Sequence, residues 1–275
     1  MDCDNRPRLE SGRQREKLSS LSLDNAIFLF FAGAIGGAIN AVAGGGSFVS
    51  FPALLYTGVP AIPANATNTL ALFIGTSASG SAYRQKLGLP ARIVAPLLCA
   101  GLAGGIFGAL LLIRTPAQTF RFVLPWLMLL ATVLFAFGKL ITRFISAKMS
   151  HDAGSGAVVG ATTFELAVAT YGGYFGGGLG IMNLAMFAAL GMTDIHAMNK
   201  LKVLLGAVVN GVATVTFILA RAIYWPQGLV MTAGAAMGGY ASAHYAQKVP
   251  QAYIRSLVIG VGAAMTFYFF YNAYF

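Results

Sequence analysis

Apolar residues in this chain come in long unbroken runs rather than in alternation. They fall at about 25–43, 47–58, 64–83, 91–113 and 118–141, then at 157–175, 179–192, 199–220, 226–247 and 252–275. Most of these runs approach or pass the roughly 20 residues with which an α-helix crosses a bilayer. Backbone at membrane depth must satisfy its own hydrogen bonds, so lipid-facing segments have to be helices. The runs are too continuous for the apolar–polar alternation of a transmembrane barrel. The pattern predicts an all-α, polytopic helical membrane protein.

Two runs are too short to cross. Residues 47–58 and 179–192 each follow a glycine cluster, Gly44-Gly45-Gly46 and Gly176-Gly177-Gly178. Such segments read as half-helices that start inside the membrane, where irregular backbone is tolerated only if it lines a cavity.

The linker Lys139–Gly156 separates two halves whose landmarks recur. Asn68 and Gly75 match Asn199 and Gly206 at one spacing, and Gly104, Gly105, Pro116 and Arg121 match Gly238, Gly239, Pro250 and Arg255 at nearly the same one. The expected organisation is an arm at 1–24, a first transmembrane repeat at 25–141, a linker at 142–156 and a second repeat at 157–275. Each repeat would hold one glycine-broken half-helix, and internal duplication of this kind is a transporter signature.

Charge sharpens the picture. Only 9% of residues are charged and 57% are hydrophobic, against ~25% charged in a soluble chain. The net charge of +10 invites a nucleic-acid reading, but residues 1–24 hold equal numbers of basic and acidic side chains. The excess therefore belongs to residues 25–275, mostly in short loops that would orient the spans. An even number of crossings per half would set the arm, Arg84–Arg92 and Lys139–Lys148 together on the cytoplasmic side, as the positive-inside rule favours; that is the expectation. An odd number would invert the halves. Two cysteines, Cys3 and Cys99, make neither a disulfide framework nor a metal quartet.

Chemistry concentrates on one stripe. Asn199, Lys202, Gly206 and Asn210 are spaced to share one face of a helix, with Asn68, Ala71, Gly75 and Ser79 as the counterpart. A polar, glycine-notched face in an apolar helix turns to the interior or to a water-filled path. There Lys202 would attract an anion, and asparagine amides and a serine hydroxyl would donate to its oxygens. The alternative is a snorkelling lysine with capping asparagines. The glycine clusters add two helix N-termini, each with free N–H groups and partial positive charge suited to an anion. The expected substrate-binding set is Gly45, Gly46, Ser47, Asn68, Gly177, Gly178, Asn199, Lys202 and Asn210. Glu165 is the one acid well inside an apolar run, a candidate for proton coupling; the alternative is a carboxyl bonded to Thr162, Thr163 or a carbonyl. His196 and His244 stand alone, no metal-ligand spacing occurs, and no cofactor is expected.

The stretch from Ala32 through "AGAIGGAINAVAGGGSFVSFPALLYTGVP" and the second-half stretch "YGGYFGGGLGIMNLAMFAALGMTDIHAMNKLKVLLGAVVNGVA" resemble the two signatures of the sulfite exporter TauE/SafE family of permeases. The resemblance covers residues 25–275. It implies a carrier of sulfur-containing anions such as sulfite, sulfonates or related organic anions in a prokaryotic inner membrane. The partners it implies are a small anion and the lipid bilayer, with no nucleic acid; a homodimer is compatible with it. A channel or inward permease of the same fold is the nearer alternative. A Ser–His intramembrane protease built on Ser77, Ser79 and His244 is the remote one, because a nucleophile needs its base within reach and the second half keeps no serine motif.

Overall fold

The computed structural model describes residues 21–80, 90–148, 155–192, 194–245 and 251–275. Among them every regular element is an α-helix: α1 (Leu23–Ala43), α2 (Ser47–Tyr56), α3 (Ala61–Gly80), α4 (Ala91–Arg114), α5 (Ala117–Lys148), α6 (Ser155–Tyr174), α7 (Leu179–Ala189), α8 (Ile195–Leu219), α9 (Trp225–Tyr245) and α10 (Gln251–Tyr274). The order of one long, one short and three long helices occurs twice. Stretches of α1, α4, α5, α8 and α10 are long and apolar enough to cross a membrane. α3, α6 and α9 have similar length, but glycine, threonine and asparagine dilute their hydropathy. Ser22 caps α1 by accepting the Asn25 N–H at 3.3 Å, and Gly44 ends it in the left-handed region at φ 76°, which glycine adopts without a Cβ penalty.

Helix pairing follows small residues. On α1 and α9, a Cβ on Gly33, Gly37, Gly234 or Gly238 would run into the carbonyl of Met231, Ala235, Phe30 or Ala34 respectively. On α4 and α6, Gly104, Gly108 and Gly173 meet the carbonyls of Leu166, Thr170 and Gly105 in the same way. Backbones this close gain dispersion and Cα–H···O contacts that lipid cannot offer. Gly101 differs, with only ordinary contacts to Leu205 and Val209 at 3.6 Å.

These contacts also give directions. α1, α3 and α9 run parallel: Gly37 and Gly75 both meet Ala235, and Gly228 near the start of α9 meets Thr67 near the start of α3. α4, α6 and α8 run parallel to one another, because Gly101 and Gly105 meet Leu205, Val209 and Val212 in register. The two trios oppose each other. The Tyr224 N–H beyond the end of α8 donates to Thr67 Oγ1 at 3.0 Å, and Asn65 Nδ2 donates to the carbonyl of Tyr174, the last residue of α6, at 2.9 Å. α5 and α10 are antiparallel, with Trp126 on Tyr274 and Arg255 on Phe135.

The expected even count of crossings is therefore corrected. α2 brings the chain back toward the face from which α1 set out, as Tyr56 against Phe28 shows. The arm's junction at Ser22 and the linker between α5 and α6 then lie on opposite faces. A half-helix reverses the chain without crossing, and hydropathy cannot tell a reversal from a crossing. Residues 1–20 of the arm and residues 149–154 of the linker lie outside the described residues, and the rest of the expected linker belongs to α5, which runs to Lys148, and α6, which begins at Ser155.

Candidate functional site

The first glycine cluster meets the start of α7, whereas Gly177 and Gly178 of the second cluster face Phe175, Ala131 and Leu134. A Cβ on Gly44 would lie 3.4 Å from the Gly180 Cα, and one on Gly180 would lie 3.2 Å from Lys202 Cδ. The beginnings of α2 and α7 and the stem of Lys202 thus converge where no side chain intervenes. Gly46 precedes α2 with αR backbone, whereas Gly178 precedes α7 at φ 82°. The first N–H groups of each half-helix lack intrahelical acceptors by construction. Phe135 closes one side, its ring packed on Gly45 and, at 5.5 Å, on Phe48. Tyr171 Oη holds the second loop by donating to the Gly177 carbonyl at 2.7 Å.

On the first-half side the polar groups form a connected chain. Ser50 Oγ donates to Asn68 Oδ1, and Asn68 Nδ2 donates to Ser47 Oγ at 3.2 Å. No partner among the described residues takes the Ser47 hydroxyl hydrogen, so the chain ends in a donor at the start of α2. Asn40 ties the loop to α3: its Oδ1 accepts the Gly46 N–H at 3.4 Å, and its Nδ2 donates to Thr76 Oγ1 at 2.8 Å. Asn40, Ser50 and Thr76 are site residues that sequence reasoning missed. The available signal was the position of Asn40, one helical turn before the left-handed glycine.

On the second-half side the groups are less engaged. Lys202 is only 6% exposed and forms no ion pair among the described residues. Its stem lies beside the α7 backbone at Gly180, two turns into α8, buried rather than snorkelling. Asn199 is likewise inside α8 and Asn68 inside α3. Asn210 lies two turns beyond Lys202, next to Gly211, which packs on Phe73. A Cβ on Gly206, between them, would meet nothing within 4 Å. Asn183, one turn into α7, is fully buried with both amide atoms unpartnered. A single asparagine in an apolar run, with phenylalanine at its first-half counterpart, gave no pattern from which to read it.

Glu165 stands apart from the glycine loops. It is fully buried, with its Oε1 3.8 Å from a Cβ position on Gly101, against the flank of α8 at Leu205 and Val209. Neither oxygen has a partner among the described residues, and Thr162 and Thr163 donate instead to Val158 and Val159 carbonyls. Ser77 and Ser79 likewise donate to carbonyls of their own helix, Phe73 and Thr76; the side chain of His244, like that of His196, lies outside the described residues. Among the described residues no cluster of metal-ligating side chains occurs.

The arrangement can hold a small anion between two helix N-termini, with one buried ammonium and one free hydroxyl. Comparison with known proteins gives the family. A family model described as sulfite exporter TauE/SafE matches residues 29–269. A probable membrane transporter protein of Haemophilus influenzae is 29% identical over 252 residues, covering 90% of this chain and 94% of its own. The probable membrane transporter proteins ORF9 of a Sinorhizobium species and YfcA of Escherichia coli K12 are each 26% identical, over 90% of this chain and 93% and 90% of theirs. No solved structure matches. The chain is an integral membrane transporter and belongs to the sulfite exporter TauE/SafE family.

Proposed function

We propose that the chain is a carrier of small, sulfur-containing anions, with one site where α2 and α7 meet beside Lys202. The observation that carries this reading is the contact of Gly44 and Gly180 next to the Lys202 stem. Two N-termini place partial positive charge and N–H donors on one small volume, and the ammonium adds a full charge in surroundings of low dielectric. The paired directions of the two sets of helices support inverted repeats, the architecture in which a midplane site is exposed to each side in turn.

Charge supports an orientation. In sequence, Arg84 and Lys86 fall between α3 and α4, and Lys139, Arg143 and Lys148 belong to the last turns of α5, toward the linker face, which also carries Arg92 and Lys200. The opposite face carries Arg114, Arg121 and Arg221 and an arm of zero net charge. The positive-inside rule then makes the linker face cytoplasmic. Glu165 would take up and release a proton on the flank of the helix that carries Lys202, coupling anion movement to the proton gradient.

Counterflow of sulfite or a small sulfonate into proteoliposomes tests the carrier. Lys202→Ala removes a charge-assisted bond worth about 1.5–3 kcal/mol, so half-saturation is expected to rise about tenfold to a hundredfold with membrane insertion unchanged. Unaltered kinetics in well-inserted Lys202→Ala protein would overturn the site, and a current that never saturates would make it a channel. Glu165→Gln is expected to flatten the pH dependence of flux; a surviving pH profile makes Glu165 structural.

A further inference from the structure

On the face opposite the linker, a cavity of about 630 Å³ opens between the end of α2, the start of α3, the start of α5 and the end of α10. Its walls are mostly apolar, with Leu55, Ile62, Leu124 and Phe269 among them, and its polar side chains are Arg121, Tyr268 and Asn272. Arg121 is exposed, in the second turn of α5, and its guanidinium has no partner among the described residues. Its counterpart in the second half, Arg255, is committed: Nε and Nη2 donate to the carbonyls of Phe135 and Ala136 at 3.1 and 2.7 Å. The depth is fixed by the neighbours. Trp126 Nε1 donates to Tyr274 Oη, which donates to the Phe122 carbonyl, and Trp126 packs edge-on against Phe270. Tryptophan and tyrosine gather at the level of lipid headgroups.

We propose that this groove holds an anionic phospholipid, its headgroup phosphate on Arg121 and an acyl chain along Leu124 and Phe269. A free guanidinium at headgroup depth complements a phosphate, the start of α5 adds its dipole, and the apolar walls suit a hydrocarbon chain and nothing water-borne. The volume is that of an ordinary ligand pocket. One wall is made by the start of α3 and the end of α2, the half-helix that begins at the first glycine loop, and the other by α5 and α10, so the lipid braces that half-helix from its far end.

The test is lipid retention by the purified full-length protein, read by native mass spectrometry after exchange into mixed micelles of phosphatidylglycerol and phosphatidylethanolamine. Wild-type protein is expected to retain phosphatidylglycerol preferentially. Arg121→Gln should lower that preference about fivefold, whereas Arg121→Lys should keep most of it. Arg114→Gln, on the same face but outside the groove, should leave it unchanged. Equal retention by wild type and Arg121→Gln overturns the proposal. So does displacement of the phospholipid by millimolar sulfate, which would make the groove a vestibule for water-borne anions. Arg121 is exposed, so the variant is not expected to disturb folding, and a thermal melt of each variant checks this.

Discussion

α3 and α8 carry the same stripe, yet one is sealed and the other is open. On α3, Asn68 and Ser79 are each 1% exposed and Ala71 is fully buried. Asn68 is bonded to Ser47 and Ser50, and Gly75 lies against Ala235 and Gly239 on α9. On α8, Asn199 and Asn210 are half-buried, no bond among the described residues engages their side chains, and the space before Gly206 is empty. The lesson is that matching positions in the two halves of the sequence need not do equivalent work at one moment. In the proposed cycle, the sealed stripe belongs to the closed side and the open stripe to the side in contact with water. The open portion of α8 begins at the linker face.

The largest expected effect comes from moving the charge. Ala71 is the first-half counterpart of Lys202, but it is packed on all sides. Ala71→Lys would bury an ammonium without a partner, a penalty of about 3 kcal/mol at membrane depth. The variant is expected to lose most of its folded yield in detergent, measured by size-exclusion profile. It is also not expected to rescue Lys202→Ala. A folded, active Lys202→Ala/Ala71→Lys protein would show the two stripes to be interchangeable.

The glycines separate the stripes next. Gly75→Ala forces a Cβ to 2.9 Å from the Ala235 carbonyl oxygen, an overpacking that costs about 1–3 kcal/mol. Gly206→Ala meets no atom and should stay within about 0.5 kcal/mol of the parent. Thermal melts in one detergent check both. In a background lacking Cys3 and Cys99, Gly206→Cys should react with a membrane-impermeant thiol reagent applied to the linker face. Gly75→Cys should be protected. Equal labelling of the two would erase the distinction between open and sealed.

The asparagines give the smallest expected contrast. Asn68→Ala strands the Ser47 hydroxyl, while Ser50 keeps the Gly46 carbonyl as acceptor at 2.9 Å, and should destabilise by about 1–3 kcal/mol. Asn199→Ala breaks no internal bond, so its effect should fall on half-saturation for the anion rather than on the melt. A stability loss equal to that of Asn68→Ala would mean that Asn199 is as structural as its counterpart.

What could be read from the sequence follows from what each feature depends on. The ten helices lie close to their apolar runs because Gly, Pro and charged residues interrupt hydropathy locally. The half-helices were legible because a run of ten residues after three glycines has no other use at membrane depth. That Asn199, Lys202, Gly206 and Asn210 share one helix was legible from their spacing. The sense of the crossings was not, since the path of α2 is decided by packing against α1 and α3. Asn40 and Asn183 escaped for a related reason. Their roles come from a loop and a neighbouring helix that fold onto them, and spacing within one helix cannot display that. The difference between Gly75 and Gly206, identical letters at matching positions, is likewise tertiary.

The carbonyl-to-glycine contacts between α1 and α9 and between α4 and α6 have a mechanical consequence. Backbones locked this closely have no side-chain layer to shear, so each pair travels as one stiff plank. Each plank joins a helix from the first half to a helix from the second. In the proposed cycle the moving parts are therefore not the two halves of the chain, and severing it in the linker would yield neither of them.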